Sequence, residues 1–111
     1  MTDERQPAPP SHLRNVAPKL ADLTREVLFG DVWERPGLSK RDRSLITCAV
    51  LATLYRPDQL QFHLSFALKN GVTKQELGEM ITHVAFYAGW PSAVSAAQIA
   101  HTVFEKQAGD A

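Results

Sequence analysis

The stretch SKRDRSLITCAVLATLY, residues 39–55, decides the fold class of this 111-residue chain. Ser39 with Asp42 three residues later is the pattern of a helix N-terminus, where side-chain oxygens satisfy backbone N–H groups. From Leu45 onward the predicted helix has no polar face. A helix that is apolar all round is buried on every side, and so short a chain builds only a thin core. We therefore expect partner subunits to help cover this helix.

Further helix signals lie on both sides of that stretch. Gly30, Gly71 and Gly89 stand where helices are expected to end, and Thr73 with Glu76 forms a capping box. No segment alternates apolar and polar residues as a strand does. The sequence predicts an all-α domain over residues 13–107, preceded by a flexible, proline-rich arm at residues 1–12. The predicted helices, about five in number, cover residues 18–29, 40–55, 58–69, 74–88 and 91–106.

The composition excludes several classes of protein. Lys and Arg number 12 and Asp and Glu number 12, so the chain lacks the basic excess of most nucleic-acid binders and polybasic membrane-surface proteins. No apolar run approaches the ~18 residues of a membrane span, and no signal peptide is visible at the N-terminus. Cys48 is the single cysteine, which excludes an internal disulfide and CxxC chemistry. We expect a cytoplasmic protein.

One predicted helix carries a polar face that is suited to proton transfer. Glu76, Glu79, His83 and Tyr87 are spaced by three, four and four residues, so they share one side of the helix. A carboxylate one turn from a histidine sets the imidazole tautomer and raises its pKa, which suits a general acid. The alternative is a solvated helix face with an ordinary i,i+4 pair.

His63 lies among Phe62, Leu64 and Phe66, and we expect it to face a pocket or an interface. The alternative is a histidine that satisfies a hydrogen bond in the core. A metal site is not expected, because no two histidines have the i,i+4 spacing of a helical zinc site and no HExxH motif occurs.

Arginine and tryptophan residues supply candidate binding groups. Arg41 and Arg43 flank Asp42, and arginine is the natural partner of a substrate carboxylate, although either residue could equally have a surface role. Trp33 and Trp90 are predicted to lie in loops and to line a pocket or an interface. Cys48 lies in the apolar helix and is predicted to be an inert packing residue.

Several of these motifs together resemble the carboxymuconolactone decarboxylase family over roughly residues 18–105. They are FGDVWERPGLS at 29–39, RDRSL at 41–45, the His63-to-Glu79 pattern and FYAGWP at 86–91. The resemblance implies an alkylhydroperoxidase D-like helical fold that assembles as a homo-oligomer, a trimer or a hexamer. The peroxidase branch of this superfamily needs cysteines at positions that hold Arg56 and Gln59 here, so peroxidase activity is not expected.

The decarboxylase branch of the family acts without a cofactor on 4-carboxymuconolactone, in the breakdown of aromatic compounds. The resemblance implies that Arg41 or Arg43 binds the carboxylate, with Trp33, Tyr87 and Trp90 also in the substrate site. It implies His63 as the main proton donor, with His83 and Glu79 in the same pocket. This chain departs from the family pattern at His83, Trp90 and Val94, near the presumed pocket, which leaves the substrate open. The alternatives are an isomerase-like enzyme on another small acid, or a non-catalytic oligomeric binding protein.

Overall fold

The computed structural model describes residues 9–109, and in that range all regular secondary structure is helical. Residues 9–38 form one compact unit and residues 39–109 form a second. The six α-helices are α1 Ser11–Val16, α2 Pro18–Leu23, α3 Lys40–Thr53, α4 Pro57–Lys69, α5 Lys74–Ala88 and α6 Trp90–Gly109. The all-α prediction is confirmed. None of the helices in the described range combines the length and apolar character needed to cross a membrane.

The N-terminal unit differs in detail from the single helix that the sequence predicts. Helix α1 was not predicted; it begins at Ser11, whereas residues 1–8 of the predicted flexible arm lie outside the described residues. Pro18 begins α2 as predicted, but the helix continues from Thr24 to Phe29 with π-helical hydrogen bonding. Gly30 follows with a right-handed backbone (φ −81°) rather than the left-handed conformation of a glycine cap.

Glycine is nevertheless required at position 30 for a steric reason. A Cβ atom there would approach the carbonyl oxygens of Arg25 and Glu26 to 2.7 Å, which is closer than real Cβ contacts come. The chain then forms a short 3₁₀ helix, Val32–Glu34, which contains Trp33. The ring of Trp33 is buried and its centroid lies 5.4 Å from that of Phe29. The prediction that Trp33 lies in a loop is therefore wrong.

The helix boundaries of the second unit follow the sequence signals closely. The Ser39 hydroxyl accepts a hydrogen bond from the Asp42 N–H at 3.0 Å, and the Thr73–Glu76 capping box is complete. Gly71 and Gly89 end α4 and α5 with φ of 99° and 106°, a conformation that glycine adopts without steric cost. Helix α6 begins one residue earlier than predicted, so Trp90 lies at its first position and not in a loop.

Helices α3 and α6 hold the second unit together. Each of them packs against the other and against both α4 and α5, whereas α4 and α5 pack chiefly on α3 and α6. The largest fully buried side chains come from α3, α4, α5 and the turn between α4 and α5: Ser44, Cys48, Leu60, Leu64, Val72 and Leu77. Burial of such apolar side chains, about 1.5–3 kcal/mol each, is the main stabilisation of the unit.

Helix α3 is buried on one face only within a single chain. Ser44, Cys48 and Ala52 lie at intervals of one turn and face the core. Ile46, Val50 and Leu54 lie on another face and remain about half exposed. The expected burial on every side is therefore not achieved by one chain, and its cover by partner subunits stays a prediction.

Candidate functional site

His63 lies within α4 among aromatic side chains of the same helix. Its ring meets the ring of Phe62 edge-on, with centroids 5.0 Å apart, and that of Phe66 at 6.2 Å. Phe62 and Phe66 stack on each other at 5.7 Å. The imidazole is half-buried, and its Nδ1 atom is fully buried. The aromatic surroundings expected from the sequence are present.

Burial changes the acid–base character of this histidine. Desolvation disfavours the charged imidazolium and lowers the pKa of His63 from its ordinary value of 6.5. His63 is therefore mostly neutral in the free protein at neutral pH, rather than poised near 6.5 as the sequence suggests. An anionic group bound beside the ring opposes this effect and raises the pKa.

The two candidate arginines have different surroundings. The guanidinium of Arg41 donates hydrogen bonds to Asp42 at 3.2 Å and to Glu76, and so joins the beginnings of α3 and α5. The pKa of Glu76 is lowered, first by the N–H of Thr73 and also by Arg41. Arg41 therefore has two carboxylate partners in the protein itself, and its contact with Glu76 connects α3 to α5.

Arg43 lies at the start of the same helix, where it is half-buried with its Nε atom inside the protein. The Thr47 hydroxyl donates to the Arg43 carbonyl at 2.7 Å, which is a contact of the helix backbone. Binding of a substrate carboxylate by Arg41 would displace Asp42 or Glu76, and the half-buried Arg43 is the other candidate for this role.

The remaining predicted residues of the second unit form a separate group at the surface. Glu79, His83 and Tyr87 are all exposed on α5, and the rings of His83 and Tyr87 lie 4.9 Å apart. Trp90, at the start of α6, is also exposed and meets Phe86 at 5.4 Å. Helix α5 packs chiefly against α3 and α6, whereas His63 lies on α4. The expected shared pocket stays a prediction.

A cavity that the sequence did not reveal opens between α4 and α6. It has a volume of about 410 Å³, within the range of small-molecule sites. Phe62, whose ring contacts His63, forms part of its wall. None of the predicted site residues lines it. Its members come from residues 58–65 of α4 and residues 102–107 of α6, so no local spacing signals them: Asp58, Gln61, Phe62, Ser65, Thr102, Val103, Lys106 and Gln107.

Two other kinds of site were considered for the described part of the chain, a reactive thiol at Cys48 and a cluster of metal-ligating side chains. Cys48 is fully buried, and burial raises the pKa of its thiol to about 12, so the reactive thiolate is not formed at neutral pH. Within residues 9–109, no three His, Cys, Asp or Glu side chains gather as metal ligands would.

Comparison with known proteins places these residues in a family context. A family model described as the carboxymuconolactone decarboxylase family matches residues 18–102. The chain is 49% identical, over 77 residues, to the 4-carboxymuconolactone decarboxylase of Acinetobacter baylyi, an alignment that covers 69% of this chain and 58% of the relative. It is 38% identical, over 87 residues, to nitrosuccinic acid decarboxylase of Metarhizium robertsii. That alignment covers 76% of this chain and 61% of the relative.

The chain thus spans about three fifths of the length of these curated relatives. The family match nevertheless covers most of the chain, from the start of α2 to the last turns of α6, and includes every predicted site residue. The resemblance inferred from the motifs is confirmed: the chain belongs to the carboxymuconolactone decarboxylase family.

Proposed function

We propose that the protein is a decarboxylase that removes CO₂ from a small carboxylated lactone such as 4-carboxymuconolactone, without a cofactor. The observation that carries this proposal is its similarity to two relatives that are both named as decarboxylases. The two named substrates differ, but both are carboxylic acids. The carboxylate is therefore the feature that the site has to recognise.

The proposed chemistry needs three groups. One binds the carboxylate that departs, one stabilises the negative charge that develops on the lactone carbonyl, and one protonates the carbon from which CO₂ has left. As the carbon–carboxylate bond breaks, its electron pair moves into the conjugated carbonyl system. A proton then completes the product, and the donor recovers its own proton from water.

An arginine, Arg41 or Arg43, and His63 are assigned to two of these roles. Both arginines are half-buried at the start of α3, and a guanidinium binds a carboxylate through two N–H groups at once. His63 is neutral in the free protein because burial lowers its pKa. Binding of an anionic substrate favours the imidazolium, so that His63 takes up a proton when its acid is needed. The aromatic rings of Phe62 and Phe66 limit access of water to that proton.

The other sequence predictions complete the proposal. Glu79, His83, Trp33, Tyr87 and Trp90 remain candidates for shaping the substrate site, and the chain is expected to act as a homo-oligomer, a trimer or a hexamer. A role in aromatic-compound catabolism follows from the same substrate class. The cytoplasmic location stays a prediction.

The test is an assay of the purified protein with 4-carboxymuconolactone, in which ultraviolet absorbance and released CO₂ are followed together. The proposal predicts loss of the substrate spectrum with one CO₂ per molecule consumed, and a His63→Gln variant serves as matched control. A changed spectrum without CO₂ would indicate an isomerase. Binding without any change, with both 4-carboxymuconolactone and nitrosuccinic acid, would contradict the proposal and indicate a binding protein.

A further inference from the structure

Two long segments of the chain carry no charged side chain. Residues 44–55 and residues 80–104 contain no Asp, Glu, Lys or Arg, although the chain has 12 acidic and 12 basic residues. Both segments nevertheless expose side chains on the second unit. Depletion of charge with enrichment of aromatic residues is the compositional mark of the centre of a protein–protein interface.

The first exposed surface is a row of side chains on α3. Ile46, Val50 and Leu54 follow one another at intervals of four residues, and each is between 48% and 56% exposed. We call this row the α3 ridge. Side chains at this spacing form the i±4n ridges through which helices pack. The ridge spans eight residues, or ~12 Å along the helix axis.

The second exposed surface is a groove between α5 and α6. It is lined by the small residues Ala85, Ala93 and Ala97, which we call its floor, and by the larger residues Ile81, Thr82, Trp90 and Val94. We call it the α5/α6 groove. Small residues on the floor let another helix approach closely. From Trp90 to Ala97 the groove extends over seven residues, or ~10 Å, which matches the length of the α3 ridge.

The aromatic side chains around the groove expose an apolar area of a size that is often functional. Phe86, Tyr87 and Trp90, beside the groove, are exposed over 72%, 82% and 60% of their surface. Since an aromatic side chain presents about 150–250 Å², these three alone expose on the order of 400 Å². That is about half of the ~800 Å² that each partner buries in a specific interface. Val94, the groove floor and the neighbouring turns can supply the remainder.

We propose that the α3 ridge of one copy of this chain packs into the α5/α6 groove of a second copy. The occupant is a second copy because both complementary surfaces, similar in length and without charged side chains, are present on the same chain. The contact joins two different surfaces, so it is head-to-tail, and repeating it around an axis closes a ring. This inference depends on the homo-oligomer of the proposed function and not on its chemistry.

Two single substitutions test the contact from its two sides. Val50→Glu places a charge on the ridge and Ala97→Glu places one in the groove, and both positions are exposed in the single chain. Each variant is expected to lower the mass measured by light scattering to that of one 12.3 kDa chain. Val16→Glu, at an exposed valine of α1, is the matched control and is expected to leave the oligomer intact. Circular dichroism establishes that each variant remains helical.

Mixing the two variants distinguishes a head-to-tail contact from a symmetric one. The Val50→Glu chain keeps an intact groove and the Ala97→Glu chain keeps an intact ridge. The proposal predicts that the mixture forms a dimer of one chain of each kind, twice the mass of one chain, and nothing larger. With a symmetric ridge-to-ridge contact, the Ala97→Glu variant would still associate by itself. The mixture would then contain no mixed dimer, and this result would overturn the proposal.

The wild-type protein separates failure of this contact from failure of the proposed function. A wild-type oligomer that neither substitution dissociates overturns the contact alone. A wild-type monomer at micromolar concentration overturns both the contact and the expected homo-oligomer. The release of CO₂ by the wild-type protein is measured independently and tests the decarboxylase assignment in either case.

Discussion

His63 and His83 were both predicted to transfer protons, yet the structure gives them opposite surroundings. His63 is half-buried on α4, with its ring near those of Phe62 and Phe66. His83 is exposed on α5 beside the ring of Tyr87. Spacing along a helix tells which residues share a face, but it does not tell whether that face turns toward the protein or toward water. The difference favours His63 over His83 for the proposed proton-transfer role.

The largest expected effect on turnover comes from replacing His63, and the same replacement of His83 is the comparison. His63→Gln is expected to lower kcat by ~10²–10⁴-fold, because a positioned general acid contributes about that factor. His83→Gln is expected to lower kcat clearly less, since the His83 ring is exposed on α5 and does not share the half-buried surroundings of His63. Turnover and melting temperature are measured on the same samples. A large fall in melting temperature with near-normal kcat for His63→Gln would show that His63 only stabilises the fold.

The two arginines provide the next comparison. Arg43→Gln is expected to raise KM by about 10- to 100-fold, the worth of a charged hydrogen bond to the substrate carboxylate. Arg41→Gln is expected to change KM less, because the guanidinium of Arg41 already binds Asp42 and Glu76. Steady-state kinetics of both variants decide the matter. The reverse order of effects would assign the carboxylate to Arg41.

The pH dependence should report the surroundings of His63. If this residue donates a proton, kcat/KM falls as pH rises through the pKa of the free protein, which burial places below 6.5. The corresponding fall in kcat is expected at a higher pH, because bound carboxylate raises the pKa of His63 in the complex. Complete pH profiles of both parameters test this order. If kcat and kcat/KM fell at the same pH, the substrate carboxylate would not change the pKa of His63.

The same burial affects stability in a defined direction. The pKa of His63 is lower in the folded protein than in the unfolded chain, so the unfolded chain binds a proton first as the pH falls. This contribution to stability is complete above about pH 6.5 and is lost as the pH falls below that value. The free energy of unfolding, measured with denaturant between pH 5 and pH 8, is expected to depend less on pH in His63→Gln than in the wild-type protein.

The smallest effect on activity is expected at Cys48. This thiol is fully buried with a pKa raised to about 12, so it cannot serve as a thiolate at neutral pH. Cys48→Ala is expected to leave turnover within a few-fold and to lower the free energy of unfolding by about 1 kcal/mol through lost packing. Abolished turnover in a folded Cys48→Ala protein would reveal a thiol mechanism.

The sequence predicted the parts of the fold that depend on local chemistry. Ser39, the Thr73–Glu76 box, Gly71 and Gly89 act within a few residues of themselves, and each marks a helix boundary where it was expected. Helix α1 and the π-helical turns after Leu23 were missed, because neither has a distinctive signal of its own.

The site was harder to predict because it depends on contacts between helices. Burial of Trp33 and the cavity between α4 and α6 follow from packing, which no spacing along the chain reveals. The pair of Arg41 and Glu76 joins residues 35 positions apart, so the sequence could not show that Arg41 binds a carboxylate of the protein itself.

An NMR titration of the His63 ring, with and without an unreactive carboxylated lactone, tests the central assignment most directly. His63→Gln identifies the resonance by its loss. We expect a pKa below 6.5 in the free protein, because the ring is partly buried, and a clear increase when the anionic lactone binds. A pKa at or above 6.5 that the bound lactone leaves unchanged would contradict the assignment of His63 as the buried proton donor of this family member.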